Sequence, residues 1–169
     1  DLNAKLKAGE ITVAEWEAEV RNREYELYLA ALLLLCGGFP SPANYLLMTA
    51  ALEAQYAYLD GFANDIAGDP EAWLTGRLDA RLALYAASAY AAYELFRQSI
   101  VIDAGFTEER RVLGVADHCR NDPKHGTPGC IELAAKSWQP INTLPKIGSA
   151  TCVTRCRCHF EFRKPKPGG

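Results

Sequence analysis

The sequence predicts a mainly α fold: an antiparallel bundle of about three long helices, with a small Cys-rich C-terminal knob that contains a short helix and a short β element. Three observations lead there. Apolar residues recur at helical intervals over most of the first hundred positions. Gly and Pro punctuate that stretch at two points. Five of the six cysteines, Cys119, Cys130, Cys152, Cys156 and Cys158, fall in the remaining part, where apolar segments are short. The expected division is a helical bundle over 1–105, a Cys-rich, metal-stabilised knob over 106–163, and a disordered tail over 164–169.

The first long helix is announced by Thr12-x-x-Glu15, a spacing at which hydroxyl and carboxylate can cap each other's backbone. Val13, Trp16, Val20, Leu27, Ala31, Leu34 and Leu35 follow as its expected inward face, and Gly37-Gly38 supplies the stop. Ser41-Pro42 then places a cap before a proline at the first helical position. Leu47, Ala50, Ala51, Ala54, Tyr58, Phe62 and Ile66 form the expected stripe of this second helix. Asp69-Pro70-Glu71 repeats the cap-and-proline signature and predicts a third helix over about 71–98, with Trp73, Leu78, Leu82, Tyr85, Ala89, Tyr93 and Phe96 inward. Short Gly/Pro connections favour antiparallel neighbours. These aromatics read as core rather than as a cofactor pocket, and Cys36 as a small buried hydrophobe rather than a reactive thiol.

After Ser99 the pattern breaks into short apolar pieces over 100–102 and 112–115. A short helix is expected over 131–138 and a half-buried strand over 158–163, where Phe160 and Phe162 alternate with polar residues. Such a segment buries too little apolar surface to offset chain entropy and needs a staple. Tetrahedral Zn²⁺ held by Cys119, Cys130, Cys152 and Cys156 is one staple, with Cys158 and His118 as alternates. Cys156 and Cys158 are expected to face apart, which makes Cys158 the odd one out. Disulfides among the cysteines are the other staple, and the even total of six permits them.

The net charge of −3 gives no whole-molecule field for nucleic acid or membrane, although Arg155, Arg157, Arg163, Lys164 and Lys166 make the C-terminus locally basic. The longest apolar run, 29–36, is about half of the roughly 20 residues that cross a bilayer, so no membrane partner is expected. No phosphate loop, nucleophile elbow or paired-carboxylate motif is present in the sequence. His118, His125 and His159 could serve a metal nuclease, but no Asp/His pairing at a regular spacing supports one. No catalytic or cofactor-binding residue is therefore assigned.

Arg111-Val-Leu-Gly-Val-Ala-Asp-His-Cys119, Cys130, Ala134-Ala-Lys-Ser-Trp138-Gln-Pro140, Leu144-Pro145-Lys-Ile-Gly148 and Cys152-x3-Cys156-Arg-Cys158 together resemble the C-terminal signature of tailed-phage minor head proteins. These are head-morphogenesis proteins loosely related to the Mu F group. The helical part is similar through Gly9-Glu-Ile-Thr-Val-Ala-Glu-Trp16 and Gln55-Tyr-Ala-Tyr-Leu-Asp-Gly-Phe62. One departure is the separation of Cys119 from Cys130, where the family pattern has a close pair after histidine. The resemblance implies a non-enzymatic virion or procapsid component, assembled in the host cytoplasm. It would contact portal or major capsid protein. The residues themselves add an expected self-association through the helical surface and a weak contact with DNA through the basic C-terminus. A zinc-binding nucleic-acid module, with Trp138, Phe160 and Phe162 as stacking residues, is the alternative, and a His-metal nuclease a lesser one.

Overall fold

The computed structural model describes residues 1–115, 129–150 and 155–164. The chain is mainly helical, with a small three-stranded antiparallel sheet. Among the described residues the order is α1 (Leu2–Lys7), α2 (Val13–Leu35), α3 (Pro42–Gly68), α4 (Pro70–Trp73), α5 (Gly76–Asp103), β1 (Glu108–Val112), α6 (Cys130–Ala135), β2 (Gln139–Pro140) and β3 (His159–Arg163). None of these helices is long and apolar enough to cross a membrane.

The predicted caps form. Thr12 accepts from the Glu15 N–H at 3.2 Å while the Glu15 carboxylate accepts from the Thr12 N–H at 2.8 Å. Those bonds hold the Glu15 carboxyl below its ordinary range. Ser41 and Asn44 make the same reciprocal pair at the start of α3. Gly37 and Gly38 both adopt positive φ after α2, the left-handed backbone that a β-carbon disfavours.

Two core clusters join the long helices. Trp16 and Val20 of α2 share one with Leu59, Phe62 and Ile66 of α3 and Leu78 and Tyr85 of α5. Tyr28 and Leu32 share the other with Met48, Leu52, Ala92 and Phe96. The sequence missed α1, whose Leu6 fills the first cluster and whose buried Asn3 accepts from the Trp16 indole N–H at 2.9 Å.

Several inward assignments are corrected. Leu27, Leu34 and Tyr58 are exposed, as are Ala50 and Ala54. In α3 the buried face runs through Met48, Leu52, Leu59, Phe62, Ala63 and Ile66, so the expected stripe was rotated by about one residue over its first half. Runs such as 29–35 and 45–48 are apolar all round and leave the periodicity without a phase. The third helix is two: α4 ends at Trp73, and Thr75 caps α5 by accepting from the Arg77 N–H at 3.3 Å. It then continues past residue 98 to Asp103, absorbing the piece over 100–102, before Gly105 turns at φ +80.

Cys36 is half-buried against the second cluster, and burial raises its thiol pKa. The short helix and the final strand both form, within one to three residues of their expected ends. The strand β1 was missed because Glu108-Glu-Arg-Arg-Val112 carries charge at four successive positions. It is the middle strand, antiparallel to β2 (Glu109↔Gln139) and to β3 (Arg110↔Glu161, Val112↔His159). Two of its four charges are partnered across the ladder: Arg163 donates to Glu108 at 2.6 and 2.9 Å, and Arg110 to Glu161 at 2.6 Å.

The sheet is fastened to α5 by buried polar groups. The Glu94 carboxylate accepts from the Phe160 N–H at 3.1 Å, and Arg97, itself paired with Glu94 at 2.7 Å, donates to the Phe160 carbonyl. Gln98 donates to Glu109 at 2.6 Å, and Glu109 also accepts from the Leu144 N–H at 3.1 Å. Glu94, Gln98 and Glu109 are all buried. The C-terminal half of α5 thus packs Ala92 and Phe96 toward the helices and Glu94 and Gln98 toward the sheet.

Candidate cysteine centre

Cys130 is the first residue of α6, placed there by Gly129, whose extended backbone caps the helix and whose N–H donates to the Glu132 carboxylate at 3.2 Å. Cys156 and Cys158 lie immediately before β3. The three sulfur residues belong to one buried cluster with Leu133, Leu144, Ile147, Ala150 and Phe160. Tyr90 of α5 packs on this cluster from outside, and Arg157 lies over the Tyr90 ring at 5.6 Å. Burial, together with Glu94 and Cys156 nearby, pushes the Tyr90 phenol up to about 12.

Cys158 does not diverge from Cys156. It is fully buried, and its thiol donates toward the Cys156 sulfur. Residues two apart share a face in extended backbone, so the expectation that the pair would diverge was wrong. That hydrogen bond does most to hold the Cys156 thiol well below its ordinary range; backbone N–H groups of Gly148 and Cys158 and the charge of Arg111 add to it, against the opposing effect of burial.

Arg111 was not singled out from the sequence. It is 2 % exposed, lies over the Phe160 ring at 5.7 Å and donates to the Lys146 carbonyl at 3.3 Å, while its Nε and Nη1 have no hydrogen-bond partner. The signal that could have found it is the pairing of a charged strand with an aromatic one, which sets Arg111 opposite Phe160.

Of the predicted ligands, Cys130 and Cys156 therefore share a cluster with the alternate Cys158. Cys119, Cys152 and the alternate His118 lie outside the described residues, as do His125 and residues 165–169 of the predicted tail. Among the described residues no three His, Cys, Asp or Glu side chains form a group that could hold a metal ion, and no disulfide joins the described cysteines to one another. Cys36 sits in a different cluster from Cys130, Cys156 and Cys158.

The donor chemistry present is soft, buried and, at Cys156, biased toward thiolate, which is the protonation state a Zn²⁺ ligand needs. His159 begins β3, half-buried and paired in register with Val112. Trp138, by contrast, lies on a charged face, with Arg110 and Arg163 at 4.9 and 4.6 Å from its ring. No family model matches this chain, and no curated protein or solved structure is significantly similar to it.

Proposed function

We propose that this chain is a non-enzymatic structural protein of a phage virion or procapsid, a minor head component that makes protein–protein contacts near portal or capsid through a Cys-clamped docking knob. The observation that carries the reading is the joint burial of Cys130, Cys156 and Cys158 in a knob that buried polar bonds fasten to α5. A docking element needs a fixed shape and a rigid mount, and this arrangement supplies both. The resemblance of the sequence around these cysteines to minor head proteins gives the assembly in which such a knob would act.

In this reading the three long helices form an antiparallel bundle, residues 1–105, and the knob spans 106–163 with a tail over 164–169. The two mixed clusters support the bundle: early α2 meets late α3 and early α5, and late α2 meets early α3 and late α5. Zn²⁺ would be held by Cys119, Cys130, Cys152 and Cys156, with Cys158 and His118 as alternates. A bound ion supplies a multi-point cross-link and no catalysis. Disulfides among the same cysteines would serve the same end in oxidising surroundings. Contact with packaged DNA is weak, because Arg163 and Arg110 are already paired with carboxylates.

A nucleic-acid module is favoured by the Arg-flanked Trp138, but Phe160, one of its three candidate stacking residues, is 2 % exposed and cannot stack on a base. Quantitative mass spectrometry of purified particles and procapsids, made from a genome encoding this chain, tests the assembly role. The chain is expected at a fixed copy number per particle. Its absence from both would overturn the proposal.

A further inference from the structure

From residue 27 to residue 52 the chain carries no charged side chain. This stretch comprises the second part of α2, the Gly37-Gly38 connection and the first part of α3. Its inward residues, among them Leu32, Met48 and Leu52, fill a core cluster. Among its outward residues, four near the connection are large and apolar: Phe39 is 90 % exposed, Leu34 78 %, Leu46 73 % and Tyr45 41 %. Single exposed leucines are ordinary on a soluble surface, but several at one end of a helix pair with no intervening charge mark an interaction site.

We infer that this uncharged end is the surface through which the chain associates with a second copy of itself, packed end to end about a two-fold axis. The inference rests on the assembly role proposed above and specifies where self-association occurs. Area is the first argument. At roughly 150–250 Å² for each aromatic side chain and somewhat less for leucine, the four exposed residues offer on the order of 500–600 Å² per copy. Two copies then bury about 1,000–1,200 Å², at the lower edge of a specific interface.

Charge is the second. Charged residues resume on both helices with a glutamate, Glu26 on α2 and Glu53 on α3. Nine residues of helix separate Glu26 from the end of α2, about 13 Å at 1.5 Å per residue. In end-to-end copies these like charges stay well beyond the screening length of about 8 Å in physiological salt. Parallel side-by-side packing of the same helices would instead bring them together. A two-fold contact also needs only one self-complementary patch, and an apolar patch without charge is complementary to itself.

The test is light scattering on the full-length chain over a wide concentration range, with Phe39→Glu/Leu46→Glu as the variant. Wild type is expected to move from monomer to dimer mass as concentration rises, and the variant to stay at monomer mass with unchanged helical circular dichroism. A photo-crosslinking residue at position 45 in the otherwise native chain provides a second readout, expected to give a covalent dimer joined through residues 34–46. A wild-type chain that is monomeric throughout, a folded variant that dimerises like wild type, or cross-links that map elsewhere would each overturn the inference. Particle composition, by contrast, reports on the assembly role itself, so the two can fail separately.

Discussion

Glu24 is the residue least expected inside an all-helical core. It sits on α2, 5 % exposed, with neither carboxylate oxygen hydrogen-bonded. Burial raises its pKa from the ordinary 4.5 to about 7, and the Arg21 guanidinium only partly offsets that. Between those values the folded chain holds a proton that the unfolded chain has released, so stability falls as pH rises from about 4.5 through 7 and levels off above. Glu24→Gln mimics the protonated form. Its stability in urea should match wild type at pH 5 and exceed it at pH 8 by about 1–2 kcal/mol, allowing for solvent screening. Equal stabilities at both pH values would contradict the assignment. Nothing in the sequence singled out Glu24, because one acidic residue among several on an amphipathic helix looks like part of its solvated face.

Elements that bring their own local chemistry were legible, and those that depend on distant partners were not. The starts of α2 and α3 could be read because Thr12, Glu15, Ser41 and Pro42 act on backbone within one turn. Replacing Thr12 with Ala should cost about 1 kcal/mol, seen as a lower thermal midpoint. By contrast β1 depends on distant partners, its ladder with β2 and β3 and the meeting of Glu108 and Arg110 with Arg163 and Glu161, which no local pattern reveals. The edge of β3 is likewise closed by a helix rather than by a strand, with Glu94 and Arg97 taking the Phe160 N–H and carbonyl. Glu94→Ala would leave that N–H and the Arg97 charge without their partner. A loss of roughly 2–4 kcal/mol is expected, together with faster amide exchange at Phe160; unchanged exchange there would show that the clamp is not what holds the strand.

At the scale of the whole molecule, a helical body and a small sheet are welded through one face of α5, so a force applied to the knob is transmitted to the helices. The helical character and the positions of the last helix and strand were readable from composition and periodicity, while the weld was not, since it is made of Glu94, Gln98 and Glu109, residue types that ordinarily face water. The gathering of Cys130, Cys156 and Cys158 was anticipated in part, but Cys158 was set aside on a wrong reading of strand geometry. Soft-ligand coordination is the central claim for this knob. The most direct test is the zinc content of the purified, unreduced chain measured together with its reactive thiols. One zinc per chain, with cysteine thiols that become reactive only after a chelator removes the metal, is the predicted result. Absence of zinc from protein purified with zinc present throughout would contradict it, and loss of all reactive thiols in that protein would assign the clamp to disulfides instead.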